Sequence, residues 1–289
     1  MTKLIIINDT PTLRALDQIM ASEKPRYSNG IGMGELGGEC KRRLWYKFRW
    51  AKLESPDALS QRRFADGHAS EDIMASRLRL VKGVNLSTHT PSGGQHGFSH
   101  FGGHLKGFLD GKIIGIKEAP KTKHVWEHKC VNEAKWRKLK KLVDTIGEKN
   151  ALREWDDNYF VQAIEYMYFE GFTRHYLTVN TPGSRDHFSV RTDADDVEAR
   201  WNLEKCEDII FGEGLPGKAA TNPSKFVCKF CPFKDQCHKG ADMMVSCRTC
   251  KHSKPTYEGK WYCNQYKKNI PLEHQKTGCS KFYEQIEQC

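Results

Sequence analysis

The segment Cys228-Lys-Phe-Cys231-Pro-Phe-Lys-Asp-Gln-Cys237 brings three thiols together within ten residues. Cysteines that hold a metal ion or an iron–sulfur cluster usually act in sets of four, so this segment lacks one ligand. Cys40, which begins the distant segment Cys-Lys-Arg-Arg-Leu-Trp-Tyr, is the best candidate for it. If Cys40 completes the set, an inorganic cofactor joins the N-terminal region to the C-terminal region. The chain between them then forms one closed domain.

The composition is that of a soluble globular protein. The chain has 289 residues, of which 38% are hydrophobic and 28% are charged. The apolar runs, such as residues 4–7, are too short to span a bilayer, and the N-terminus makes a poor secretory signal. We therefore expect a cytoplasmic protein without a membrane partner. In that compartment eleven cysteines indicate metal binding rather than disulfides.

The formal net charge of +10 favours a polyanionic partner, most often nucleic acid. Residues 132–147 are expected to form a helix that concentrates basic side chains. This helix either follows a phosphate backbone or is simply a solvated basic face. Its candidate DNA-binding residues are Lys135, Arg137, Lys138, Lys140 and Lys141.

Helical and extended patterns alternate in an order typical of an α/β domain on a mixed sheet, with a helical N-terminal part. Predicted helices cover residues 11–21, 40–50, 59–80, 132–147, 157–170 and 194–211. Predicted strands cover residues 105–116, 123–131, 173–180 and 186–191. The glycine-rich segment 30–38 is expected to be a loop, and the segment 91–103, rich in glycine, serine and histidine, is expected to be a loop or a hairpin tip. After Gly240 the composition shifts to cysteine, lysine and tyrosine. We therefore expect one domain over residues 1–240 and a small module over residues 241–289.

A carboxylate and an amine lie on one face of the strand predicted over residues 123–131. Side chains alternate along a strand, so Glu127 and Lys129 point the same way. Asp110, just before Gly111 on the preceding strand, comes close to Glu127 if the two strands pair as a hairpin. Two such carboxylates suit Mg²⁺ or Mn²⁺, beside which an amine can orient or activate water. The alternative is a surface salt bridge between Glu127 and Lys129, which is what an isolated Glu-x-Lys sequence usually forms.

Two predicted helices add candidate residues. His68 shares a helix face with Glu71. These two residues either join the same metal site or belong to a capped helix start with an exposed histidine. Gln162 and Tyr166 lie one helical turn apart. They either contact the lysine or a phosphate, or are ordinary polar and core residues of their helix.

Taken in chain order, these residues resemble the RecB-like branch of the PD-(D/E)xK nuclease superfamily, in particular its iron–sulfur members. Those members include the CRISPR-associated RecB-like exonucleases and the nuclease domain of AddB-type recombination proteins. The resemblance covers about residues 37–240 and implies a restriction-endonuclease-like αβββαβ core with a metal-dependent phosphodiesterase site. The matched residues are Cys40, His68, Glu71, Asp110, Glu127, Lys129, Gln162, Tyr166, Cys228, Cys231 and Cys237.

The resemblance also implies a role for each residue of the metal site. Asp110 and Glu127 are expected to bind Mg²⁺ or Mn²⁺, with His68 as a further ligand and the backbone carbonyl of His128 as another. Many members separate their helix histidine from the preceding glycine by several residues, whereas here the histidine follows the glycine directly. The choice between His68 and Glu71 as the helix ligand therefore stays open.

The remaining catalytic residues are assigned in the same way. Lys129 is expected to position or activate the attacking water and to stabilise charge that develops on the phosphate. Gln162 and Tyr166 correspond to the family's Q-x3-Y motif, which supports the site and the substrate strand.

The cysteines form two candidate sets. By the resemblance, the first set holds a [4Fe–4S] cluster; the alternative is structural zinc, with His238 in place of Cys40. The second set has intervals that suit tetrahedral Zn²⁺ in a small zinc-ribbon-like module, for which His252 and His274 are substitute ligands. The iron–sulfur set is Cys40, Cys228, Cys231 and Cys237, and the zinc set is Cys247, Cys250, Cys263 and Cys279.

Together these features predict a metal-dependent DNA exonuclease that acts on single strands or duplex ends. Its expected role is recombination, repair or phage-type replication, in a bacterial cytoplasm or an infected host cell. The sequence has no helicase P-loop, so a helicase or recombination partner would have to separate the strands. Two alternatives remain: a structure- or sequence-specific endonuclease on the same core, and a catalytically idle iron–sulfur and zinc nucleic-acid-binding protein.

Overall fold

A computed structural model describes residues 10–22, 25–53 and 55–287, and it shows a mixed α/β protein. Its helices are α1 (Pro11–Ala21), α2 (Lys41–Phe48), α3 (Ala58–Arg79), α4 (Glu133–Ile146), α5 (Glu148–Trp155), α6 (Asp157–Glu170), α7 (Asp196–Phe211), α8 (Phe226–Lys229), α9 (Lys234–Lys239) and α10 (Leu272–Thr277). Its strands are β1 (Ile31–Gly32), β2 (Asn85–Ser87), β3 (Gly97–His100), β4 (Leu105–Phe108), β5 (Gly111–Ile114), β6 (His124–Cys130), β7 (Arg174–Asn180), β8 (His187–Asp193), β9 (Ser253–Pro255), β10 (Trp261–Cys263) and β11 (Lys268–Asn269). The apolar run at residues 4–7 lies outside the described residues.

The central sheet has five strands in the order β2-β5-β6-β7-β8. Strands β6 and β7 are parallel, and the other neighbours are antiparallel. Parallel neighbours need a long crossover, which the consecutive helices α4, α5 and α6 supply here. The predicted mixed sheet is therefore confirmed, including the antiparallel pairing of β5 with β6.

This sheet separates two apolar cores, because successive side chains of a strand point to opposite faces. Val125 of β6 belongs to the larger core, which is closed by side chains from α2 and from α4 to α7. Its neighbour Trp126 faces the smaller core with Met74 and Ala75 of α3. Each helix layer thus contacts its own face of β6, the strand on which the candidate acid and amine lie.

The strand predicted over residues 105–116 is wrong in one respect, since it is divided between two sheets. Strand β4 pairs with β3 and β1 in a separate three-stranded sheet, whereas β5 joins the central sheet. Between them Leu109 is completely buried, and its backbone N–H donates to the carbonyl of His96 at 2.9 Å. This contact holds the chain where it leaves one sheet for the other. The segments predicted as loops contain β1 and β3, which are the other two strands of this small sheet.

The predicted helices agree with the structure to within about two residues, and their caps explain why. Asn132 accepts a hydrogen bond from the Lys135 backbone at the start of α4, and Asp156 accepts one from Tyr159 at the start of α6. Helix α5 has no counterpart among the predictions. Gly147, with φ of 82°, ends α4 and lets α5 begin at once.

The C-terminal residues 241–287 pack against the preceding part of the chain. Trp261 of β10 is 1% exposed and belongs to the larger core, where its ring lies 5.3 Å from that of Phe48. Met243 is buried in the same core. None of the helices among the described residues combines the length and apolarity that a membrane crossing needs.

Candidate active site

The two candidate carboxylates lie where β5 and β6 begin to pair. Gly111 of β5 is opposite Trp126, so Asp110, one residue before the paired segment, continues the register at the position opposite Glu127. The Asp110 carboxylate accepts a hydrogen bond from the backbone N–H of His128 at 2.8 Å. On the same strand face the Lys129 ammonium donates to Glu127 Oε1. The structure therefore brings Asp110, Glu127 and Lys129 together around one end of the strand pair.

Burial decides the electrostatics of this group. Burial, then the charge of Asp110, raises the pKa of Glu127 to about 8, and burial also raises the pKa of Asp110. For Lys129 burial acts to lower the pKa, but the charges of Glu127 and Asp110 outweigh it and the pKa is raised. The second oxygen of Glu127 is buried and has no hydrogen-bond partner among the described residues. A buried carboxylate oxygen of this kind is suited to a cation.

Helix α3 contributes the third carboxylate. Glu71 is half-buried, and burial followed by the charge of Asp110 raises its pKa to about 7. His68 is exposed and lies close enough to Asp110 to lower the pKa of that carboxyl group when the imidazole is protonated. Both predicted helix residues therefore lie near Asp110, but Glu71 reaches deeper into the acidic group.

The His128 side chain is held on the opposite face of the strand. Its ring contacts the Ser70 hydroxyl at 2.9 Å and the Thr178 hydroxyl at 3.0 Å, and burial lowers its pKa to about 4. Ser70 also donates to the Asn180 side chain at 2.8 Å. This buried polar network was not predicted from the sequence, and it fixes α3 against β6 directly behind the acids. Isolated Ser, Thr and Asn residues carry no recognisable spacing that predicts it.

Gln162 and Tyr166 of α6 form a chain of hydrogen bonds to the strand that precedes Asp110. The Gln162 amide donates to the Tyr166 hydroxyl at 2.9 Å, which in turn donates to the Phe108 carbonyl at 2.7 Å. Gly107 makes this approach feasible, because a Cβ there would lie 2.7 Å from the Tyr166 ring. The pair therefore positions the backbone two residues before Asp110.

The basic residues of α4 are placed in two different ways. Lys135 forms an ion pair with Asp156 at 2.6 Å, and Lys138 donates to the backbone carbonyls at the end of α5. Arg137 pairs with Glu133 on the same helix. The ammonium groups of the last two predicted DNA-binding residues, Lys140 and Lys141, are exposed and form neither an ion pair nor a hydrogen bond among the described residues.

The first cysteine set surrounds one small cavity. Cys40, at the start of α2, lines it together with the three cysteines of the α8–α9 region. Burial and the neighbouring thiols of Cys40 and Cys237 raise the pKa of Cys228. An Arg42 N–H points at Cys237 Sγ, 4.0 Å away, and His238 lines the same cavity. The distant segments singled out in the sequence are therefore adjacent.

The second cysteine set lines a separate cavity of about 400 Å³. Burial and the three other thiols of the set raise the pKa of Cys247 to about 11. His252 and His274 line the same cavity. In the part of the chain that the structure describes, no three His, Cys, Asp or Glu side chains are already arranged to hold a metal ion. Metal binding at the acids or at either cysteine set would therefore require these side chains to close around the ion.

No family model matches this chain, and no curated protein matches its sequence. Solved structures similar to it include an alkaline exonuclease, LHK-Exo, from Laribacter hongkongensis, at 12% identity over 68% of this chain and 90% of that chain, with a TM-score of 0.42. LHK-Exo in complex with dAMP matches at 15% identity over 63% and 86%, with a TM-score of 0.42. The structure titled SSO0001 matches at 18% identity over 78% and 93%, with a TM-score of 0.40. With TM-scores this low, the function has to be inferred from the residues of the site.

Proposed function

We propose that this chain is a metal-dependent deoxyribonuclease that hydrolyses phosphodiester bonds, acting as an exonuclease on single strands or duplex ends. One observation carries the proposal: Asp110, Glu127 and Lys129 converge at the start of the β5–β6 pairing, with Glu71 beside them. Acidic groups next to an amine are the residue types that phosphodiester hydrolysis uses. The net charge of +10 supports DNA as the substrate.

The acidic residues fit a divalent cation. Glu127 has a buried oxygen without a partner among the described residues, and burial, followed by the charge of Asp110, raises the pKa of Glu127 and Glu71. Carboxylate oxygens are the ligands that Mg²⁺ and Mn²⁺ prefer. A cation held by Asp110, Glu127 and Glu71 would supply Lewis acidity toward a phosphate oxygen. His68, at the exposed edge, and the backbone carbonyl of His128 are further candidate ligands.

The other residues bind and orient. The half-buried Lys129 ammonium would donate to a phosphate oxygen and stabilise the charge that develops there. Gln162 and Tyr166 hold Asp110 in place through the Phe108 carbonyl. Lys140 and Lys141 would contact the phosphate backbone away from the reacting bond. A helicase or recombination partner would supply any strand separation.

We also propose that Cys40, Cys228, Cys231 and Cys237 hold a structural [4Fe–4S] cluster. The four thiols fit because they line one cavity, and basic side chains around it suit an anionic cluster. Those side chains are Arg42, Arg43, Lys218 and Lys234. Anaerobically purified protein should be brown and contain about four irons per chain. Colourless protein with zinc alone would instead indicate the set in which His238 replaces Cys40.

Digestion of linear, circular and single-stranded DNA in the presence of Mn²⁺ tests the catalytic proposal. Linear DNA and single strands should be degraded, and Asp110→Asn and Lys129→Met should each lower the rate by about 100-fold or more. The matched controls Asp144→Asn and Lys121→Met, at exposed positions outside the proposed site, should retain cleavage. Cutting of circular DNA would favour an endonuclease. Binding without degradation of any substrate would mean a catalytically idle protein and overturn the proposal.

A further inference from the structure

Four cysteines of the C-terminal segment converge from separate pieces of chain. Cys247 and Cys250 flank a short turn, Cys263 ends β10, and Cys279 follows α10. All four line the cavity of about 400 Å³, and none forms a disulfide. No residue of this cavity belongs to the proposed nuclease site or to the iron–sulfur set.

Two of the sulfurs receive backbone hydrogen bonds. The N–H of Tyr266 donates to Cys263 Sγ at 3.4 Å, and the N–H of Phe282 donates to Cys279 Sγ at 3.4 Å. In both cases the donor lies three residues after the cysteine, so each cysteine begins a turn that wraps around its own sulfur. Hydrogen bonds to sulfur favour the thiolate, which is the form that binds metal. This observation is independent of the spacing of the cysteines in the sequence.

The regular secondary structure of this segment is short. Its strands are two or three residues long, and α10 has six residues. A unit of this size rarely keeps its fold through its core alone. Four soft thiolate ligands select Zn²⁺ rather than a hard cation such as Mg²⁺.

Two side chains close to these cysteines in sequence pack against residues at the end of α2. Arg248, between the first two cysteines, is 2% exposed, and its guanidinium lies 3.6 Å from the centre of the Trp50 ring. It donates to the Phe48 carbonyl at 3.0 Å. Trp261, two residues before Cys263, packs against Phe48 in the larger core. Arg248 has no carboxylate partner in the described part of the chain. Burying such a guanidinium is costly, so the contact needs a rigid support.

We propose that Cys247, Cys250, Cys263 and Cys279 bind one structural zinc ion, and that this ion holds Arg248 and Trp261 in contact with the end of α2. The zinc site therefore stabilises the domain that carries the acids. This inference does not depend on the proposed nuclease activity.

Metal analysis of the full-length protein tests the zinc site. Intact protein should contain about one zinc per chain, and Cys263→Ser and Cys279→Ser should each reduce it to about 0.1 or less. Cys130→Ser, at a half-buried thiol outside both sets, is the matched control and should retain the zinc. Iron content should stay unchanged in all three variants, which separates this site from the proposed cluster. Zinc contents equal to that of the unaltered protein in both test variants would overturn the proposal.

Should these variants fail to fold, the unaltered protein still provides a test. A mercurial thiol reagent added in the presence of a zinc-sensitive dye should release about one equivalent of zinc. Protein that releases no zinc under this treatment refutes the site.

Hydrogen exchange tests the link to α2. Chelation of zinc should speed amide exchange by about tenfold or more in residues 45–53 as well as in residues 244–263. Strands β6 and β7 serve as the internal reference. Arg248→Met should keep the zinc but reproduce the faster exchange of residues 45–53. If chelation affects residues 244–263 alone, the ion does not support α2.

Discussion

Replacing Tyr166 with phenylalanine removes one buried oxygen atom between the helix layer and the candidate acids. The Tyr166 hydroxyl accepts from Gln162 at 2.9 Å and donates to the Phe108 carbonyl at 2.7 Å. The ring stays in place against Phe98, so the substitution leaves no large cavity. The effect therefore isolates two hydrogen bonds that position the backbone next to Asp110.

The expected magnitude follows from these contacts. Each hydrogen bond contributes a net of about 1 kcal/mol, so Tyr166→Phe should destabilise the protein by about 2 kcal/mol. In a chain of this size that loss lowers the melting temperature by roughly 4–8 °C. A shift of Asp110 by about 1 Å should in addition lower the rate of DNA cleavage by about 100-fold.

Thermal unfolding and initial rates of DNA digestion, measured on the same preparations, check both effects. Tyr168→Phe is the matched control, because the hydroxyl of Tyr168 makes no hydrogen bond among the described residues. A melting temperature and rate equal to those of the unaltered protein would refute the reasoning. A lower melting temperature with an unchanged rate would limit Tyr166 to a structural role.

Three further predictions concern other parts of the molecule. Burial raises the pKa of Glu165 from its ordinary value of 4.5 to about 8, so its carboxyl group contributes stability at low pH that is lost as the pH rises through 8. Glu165→Gln should therefore reduce the fall in melting temperature between about pH 5 and pH 9, and an unaltered fall would contradict this. Lys140→Gln and Lys141→Gln should each reduce the slope of log affinity for DNA against log salt by about 1, measured by fluorescence anisotropy; unchanged slopes would make α4 a solvated face. Cys40→Ala should yield insoluble or iron-poor protein in an iron assay, and a full iron content would remove Cys40 from the cluster.

The helices and the central strands could be predicted from the sequence because their signals are local. Asn132 and Asp156 cap helices within their own segments, and the turn around Pro120 marks where the strand segment that contains β6 begins. The break at Leu109 could not be predicted, since an alternating pattern runs through residues 105–116 and does not say which sheet each half joins. That choice depends on β1 and β3, whose two and four residues are too few to give a strand pattern of their own.

The candidate site was also predictable only where its residues are placed by local patterns of the sequence. Glu127 and Lys129 share a strand face by periodicity, and Asp110 follows from the hairpin. The network behind them was not predictable, because Ser70 and Thr178 meet the His128 ring only after α3 has docked on the sheet. Contacts between residues so far apart in sequence leave no regular spacing to recognise.

The division of residues 105–116 between two sheets explains why the acid lies where it does. Asp110 occupies the link between β4 and β5, so neither sheet alone fixes it. Its position is set instead from two sides, by the His128 backbone N–H in the central sheet and by Tyr166, which holds the Phe108 carbonyl of the small sheet. In a continuous strand, backbone hydrogen bonds to the neighbouring strands would restrain the residue. Its side chain would have to point to one of the two faces of the sheet. The link frees the Asp110 carboxylate to reach across toward Glu127, and it makes the geometry of the acidic group depend on α6 as much as on the sheet.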